Sequence, residues 1–193
     1  MKKYYKTRKR FFIVVICFIT LISGYSILKG IINKNINSDQ LAEFGFNNIT
    51  IEELVQGLDS NDINKPNLSA SITGTHLLLA NADKSVKIPL SNDKFYVSFA
   101  PYINNTYPCS NHNLITCTSE LKNESFHVLI LDETGKAIID EYVQSMDNGF
   151  IGMWMPKNIT GKLIVSYNGL KASTNITTFN DSNTCITTPL KLN

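Results

Sequence analysis

SFHVLILDETGKAIIDEYVQ, residues 125–144, decides the fold. Two runs rich in β-branched and aromatic residues flank the turn DETGK, in which Gly135 is available for a positive φ, and the pattern predicts two short strands. The same texture continues on both sides. HLLLA (76–80), SVKIPL (85–90), KFYVSFAPYI (94–103), GFIGMWMP (149–156), GKLIVSYN (161–168), KASTNITTF (171–179) and TCITTPLKL (184–192) are further candidate strands. MDNG, PKNITGK and YNGLK supply turns between them, and the Asn-Gly of the last suits a two-residue hairpin. Short strands at these intervals predict an α+β, mainly β fold, with a β-sandwich-like domain or small barrel over residues 67–193.

Residues 31–66 read differently. IINKNIN (31–37) has the composition of a polar stalk, and SDQLAEFGFNNITIEELVQGLDS carries apolar residues at mixed three and four spacing, which predicts helix. Thr50 followed by Glu53 is a capping-box pattern, and Ile51, Leu54, Val55 and Leu58 form the apolar stripe after it. Gly57 weakens the last turn. NDINKPNLSAS, with Pro66, then breaks the pattern.

The first thirty residues direct the chain to a membrane. MKKYYKTRKR holds six positive charges and no negative one, and residues 11–28 are an uncharged run. Eighteen residues at ~1.5 Å each reach about 27 Å, enough for a spanning helix or a long signal-peptide core. The basic flank places the amino terminus in the cytoplasm. Only Gly24-Tyr25-Ser26 approximates a cleavage site, so a retained transmembrane anchor is expected, with a cleaved signal peptide and secretion as the alternative. Cys17 sits inside the apolar run after Ile16 and reads as a small hydrophobe. Either way the bulk of the chain is extracytoplasmic.

The whole chain has a formal charge of +2, but the seven Lys and Arg before residue 31 account for that, leaving 11 basic against 16 acidic residues beyond it. An exported part near −5 disfavours a nucleic-acid partner. No phosphate-binding Gly loop, nucleophile elbow or HExxH helix is present, so hydrolase chemistry has no support.

Outside the cytoplasm thiols oxidise unless a metal or reductant holds them. The exported cysteines are Cys109, Cys117 and Cys185, an odd set, and YPCSNHNLITC (107–117) adds His112. If the last strand meets this loop, three sulfurs and one imidazole converge. Soft thiolates suit Cu(I), and the four donors also meet the tetrahedral demand of zinc. The spacing Cys-x2-His-x4-Cys is not a zinc-finger pattern, and residue spacing leaves metal binding level with a disulfide plus a spare thiol. Any of the three pairings is open. His76 and His127 read as surface or satisfied histidines, Met153 and Met155 as core packing beside Trp154, and Glu120, Asp132 and Glu133 as solvated turn charges.

FYVSFAPYINNTYPCSNHNLITCTSEL (95–121), NGFIGMWMP (148–156) and TCITTPLKL together resemble the CueP family of extracytoplasmic copper-binding proteins in order and cysteine spacing. The resemblance covers about half the chain well and extends more loosely from Leu41. It implies a copper-binding protein rather than an enzyme, with Cys109, Cys117 and Cys185 as copper-binding, redox-active residues and His112 as a weaker candidate ligand. It further implies copper bound as Cu(I), with zinc as a substitute, for tolerance, buffering or delivery, and reduction of Cu(II). Implied partners are the copper ion and a receiving enzyme such as a superoxide dismutase; the N-terminal segment adds the membrane, and the oligomeric state is left open, with a homodimer among the alternatives. Tyr107 stands where the family usually has histidine, which removes a nitrogen donor, and Thr118-Ser119 replaces a pair usually ending in glycine. Two rival readings stand beside copper binding: a thiol/disulfide exchange protein, and a surface β-sandwich binding module with a structural disulfide.

Overall fold

The computed structural model describes residues 37–193. The expected anchor at 11–28 and most of the stalk lie outside the described residues, and no helix among the described residues is long and apolar enough to cross a membrane. The chain divides into two compact units, at Asn48 and Ile49.

In the first unit, helix α1 covers residues 37–43 among those described. Gly45, at φ 75°, stops it: its N–H donates to the Ala42 carbonyl and the Phe46 N–H to that of Leu41, a left-handed glycine cap. The helical reading across 38–60 is therefore interrupted here, and a second helix starts afresh.

That helix, α2 (Ile51–Asp59), opens the second unit with the capping box that the sequence predicts. The Thr50 hydroxyl accepts from the Glu53 N–H at 3.2 Å while the Glu53 carboxylate accepts from the Thr50 N–H at 2.9 Å. Leu54, Val55 and Leu58 are buried. Gly57 packs closely under Ile63, and a Cβ there would lie 2.6 Å from the end of the Ile63 side chain, which would have to shift.

Eleven strands follow in three sheets. β1 (Ser69–Ile72), β2 (His76–Ala80), β3 (Ser85–Pro89) and β5 (His112–Asn113) form an antiparallel sheet in the order β3-β2-β1-β5. β6 (Ser125–Asp132), β7 (Ala137–Gln144), β9 (Thr160–Tyr167) and β10 (Leu170–Thr177) form a second, ordered β10-β9-β6-β7. In the third, β4 (Lys94–Phe99) pairs antiparallel with β8 (Ile151–Pro156) and parallel with β11 (Cys185–Ile186). The β9–β10 hairpin turns through Asn168 and Gly169, both at positive φ, as Asn-Gly predicts.

The second and third sheets share one apolar cluster, in which Phe95, Val97 and Phe99 of β4 meet Phe126, Val128 and Ile130 of β6 and Leu163 and Val165 of β9. Each such fully buried side chain contributes about 1.5–3 kcal/mol. Met155 lies in this cluster and Met153 packs against it, so both methionines serve the core. β4 is buried on both faces. Its odd-numbered residues face the cluster, and Tyr96 and Ser98 project the other way to hydrogen-bond Asp59 at the end of α2. The central strand of the domain thus reaches from its core to the cysteine region.

Candidate metal centre

β4 ends where Ala100-Pro101 leaves the sheet, and the chain then loops over to β5. Glu120 clasps this loop, accepting from the N–H groups of Ile103, Asn104 (2.8 Å) and Asn105 (3.2 Å). It remains an exposed charge, as the sequence reading has it, and also fastens the loop. The Tyr107 carbonyl accepts from the Thr187 hydroxyl at 2.6 Å, while the residue is 80% exposed.

His112 pairs with Ile72 of β1, and its N–H donates to Thr184 Oγ1 at 3.0 Å. Thr184 in turn donates to the Ile72 carbonyl, so the residue before Cys185 locks β5, β1 and β11 together. Cys185 is fixed by its parallel register against Ser98 and by donation from its N–H to the Ser110 carbonyl at 3.1 Å. Cys117 ends a turn in which Asn113 Oδ1 accepts from the N–H groups of Ile115 and Thr116.

These constraints bring one ligand atom each from Cys109, His112, Cys117 and Cys185 within 4.8 Å of one another. Cys109 and Cys185 are joined as a disulfide, and the free Cys117 Sγ lies 3.9 Å from Cys109 Sγ. Ala100, Phe150 and Met146 pack around the sulfurs. His76 and His127 lie apart from the group: His76 Nδ1 meets Thr75 Oγ1 at 2.8 Å, and His127 Nε2 meets Asp140 at 2.7 Å.

Asp59 is the residue beside the cluster that sequence reading missed. Its Oδ1 lies 2.7 Å from His112 Nε2, with both side chains fully buried. The available signal was a carboxylate one turn after Val55, on the apolar stripe of α2, where an unpaired charge is not expected. The NGF motif also has a physical role. Asn148 Nδ2 donates to both the carbonyl and Oδ1 of Asp59 at 2.8 Å, and Gly149, at φ 82°, allows the tight turn against Ser119.

Burial, the largest single influence on His112, disfavours its charged form. Asp59 and Cys117 together outweigh it and raise the pKa from 6.5 to about 9. For Cys117, burial pushes the thiol up, but His112, with help from the backbone at Asn113, brings it below its ordinary value. His112 thus holds its proton at neutral pH, and its charge favours ionisation of the Cys117 thiol beside it. Because the folded value of His112 lies above its ordinary one, the proton's contribution to stability is complete below about pH 6.5 and fades as pH rises through about 9. Cys117, lowered by the same pairing, works in the opposite sense and adds stability as pH rises toward its ordinary value, so the two contributions oppose each other and the thermal midpoint of the metal-free protein should owe little slope to this pair between about pH 6.5 and about 9.

Two pockets give access to the sulfurs. One, of about 340 Å³, is lined by Cys109 and Cys185; the other, of about 270 Å³, by Cys117, Asp59, Asn148 and Asp147. Of the four candidate donors, His112 Nδ1 is buried without a hydrogen-bond partner, which is what a site awaiting a positive ion would leave. Three sulfurs and an imidazole nitrogen under an apolar lining suit a soft ion.

This mainly β fold with its sulfur-rich donor set defines a metal-binding protein. Residues 53–190 match the family described as periplasmic copper-binding protein CueP, and the chain belongs to that family. The crystal structure of S.CueP is similar, at 44% sequence identity over 81% of this chain and 96% of that one, with a TM-score of 0.74. No curated protein sequence matches. The protein is therefore an extracytoplasmic copper-binding protein and not a member of an enzyme family.

Proposed function

We propose that the reduced chain binds one Cu(I) ion through the thiolates of Cys109, Cys117 and Cys185, with the His112 imidazole as a fourth donor. The observation that carries this reading is the convergence of these four residues within 4.8 Å in a chain of this family. Cu(I) is soft and accepts two or three thiolates, so the site serves it better than Cu(II). The same thiols can also generate Cu(I). Two thiolates that join as the Cys109–Cys185 disulfide release two electrons, which reduce two Cu(II) to two Cu(I). An external thiol reductant then reopens the disulfide and restores the three-thiolate site, which binds and buffers Cu(I) and hands it over to a copper-receiving enzyme such as a superoxide dismutase.

Anaerobic titration of Cu(I) against a competing chelator tests this reading. The reduced chain should take up about one ion and the disulfide form should bind far more weakly. Equal affinity in both forms would sink it. Zinc supplied in place of copper should bind the same reduced site more weakly, since thiolate-rich sites favour Cu(I).

The pH dependence has a definite sign. The metal must displace the proton that His112 holds up to about pH 9, and it needs ionised thiols. Cu(I) affinity should therefore fall steadily as pH drops from about 8 to about 5, as read by the same competition assay. A flat profile would argue against thiolate and imidazole ligation.

A further inference from the structure

Asp59 has no place in a list of copper donors, yet it is the most heavily hydrogen-bonded side chain near them. Its Oδ2 accepts from the Tyr96 hydroxyl at 2.7 Å and the Ser98 hydroxyl at 3.1 Å, and its Oδ1 accepts from Asn148 Nδ2 at 2.8 Å. Those donors come from β4 and from the turn before β8, so the carboxylate is fixed from two elements besides its own helix. What remains of Oδ1 faces His112 Nε2 at 2.7 Å.

The imidazole is fixed as firmly. Its backbone is held by Thr184 and by β1, and the Phe150 ring packs on it with centroids 4.7 Å apart. With Nε2 occupied by Asp59, Nδ1 is the nitrogen left for the sulfurs, and it is the one without a hydrogen-bond partner. In a neutral imidazole, a proton held on Nε2 by a carboxylate leaves the Nδ1 lone pair free.

We propose that Asp59, braced by Tyr96, Ser98 and Asn148, is a positioning residue of the copper site that holds the His112 proton on Nε2 and presents Nδ1 to the metal. It rests on the reading that His112 ligates Cu(I) and deepens it by naming the nitrogen and the residue that selects it. A carboxylate behind a ligating imidazole fixes ring orientation and makes the nitrogen more basic, and its loss typically weakens metal binding by about 10–100-fold. Asp59 acts only through His112 and makes no contact with copper.

The direct test is a two-bond proton–nitrogen NMR spectrum of the reduced, Cu(I)-loaded chain with ¹⁵N-labelled histidine. Cu(I) is diamagnetic, so both ring nitrogens of His112 are observable. The expected result is that Nε2 keeps its proton while Nδ1 shifts on loading. A metal-bound Nε2, or no shift at either nitrogen while copper still binds, overturns the assignment but leaves thiolate binding of copper standing. Failure of the chain to take up copper overturns both.

The second arm is a thermodynamic cycle. Asp59→Asn should weaken Cu(I) binding about 10–100-fold in the parent and leave it unchanged in a His112→Ala background. Equal weakening in both backgrounds would mean that Asp59 serves only the fold. If Asp59→Asn does not fold, Ser98→Ala removes one donor from Oδ2 while leaving Oδ1 on His112. It should show a smaller loss with the same dependence on His112, and a loss independent of His112 would overturn the proposal.

Discussion

Cys117→Ser should lower Cu(I) affinity more than about 100-fold while destabilising the oxidised protein less than a change that breaks its crosslink. A lost outer partner of a metal ligand costs about 10–100-fold, and replacing a thiolate by a hard, protonated hydroxyl removes a ligand outright. Cys117 takes no part in the disulfide, so its loss leaves that crosslink in place. Cys185→Ser should lose copper similarly but also destabilise the oxidised form. The Cys109–Cys185 bridge spans 76 residues, and closing a loop of that length restrains the unfolded chain by about 4 kcal/mol. Paired chelator titrations and urea unfolding of the two variants separate the effects. If Cys117→Ser binds copper like the parent, or destabilises the oxidised chain as much as Cys185→Ser does, the division of roles among the three sulfurs is wrong.

Gly152→Ala should disrupt both the fold and the site. A Cβ on Gly152 would overlap the Tyr96 hydroxyl, far inside contact distance, and lie 2.6 Å from Asp59 Oδ2. Tyr96 and Asp59 are both buried and hydrogen-bonded to each other, so neither can swing into solvent. Overpacking of this kind costs about 1–3 kcal/mol, and displacing the carboxylate from His112 adds the cost of a buried group left unpaired. A loss of about 3 kcal/mol or more is expected, read as a lower urea midpoint at unchanged slope, with Cu(I) affinity falling alongside. An unchanged midpoint would mean that the close contact at Gly152 constrains nothing.

Local signals carried much of the fold. Thr50 with Glu53 marked the start of α2, and Asn168-Gly169 marked the β9–β10 hairpin, because both are satisfied within a few residues. The long antiparallel strands stood out for the same reason. What failed to show was set by distant partners. β1 lies within NDINKPNLSAS and its continuation, read as a break, and becomes a strand because β2 and β5 pair with it on either side. TCITTPLKL, read as a full strand, keeps only Cys185–Ile186 in the sheet, in a parallel pairing with β4 that leaves no periodic trace.

The site divides along the same line. Cys109, His112 and Cys117 were legible because they share one loop, and residue types alone flagged Cys185. That Cys109 rather than Cys117 pairs with Cys185 depends on the register of β11 against β4, which no spacing encodes. Asp59 was hidden because its partners, Tyr96, Ser98, His112 and Asn148, are 37 to 89 residues away.

X-ray absorption of the reduced protein loaded with one equivalent of Cu(I) tests the donor set most directly. A nearest shell dominated by sulfur with one imidazole nitrogen, reduced by one sulfur in Cys117→Ser and stripped of the nitrogen in His112→Ala, is the predicted result. A shell of oxygen and nitrogen alone, or one unchanged by either substitution, would contradict it.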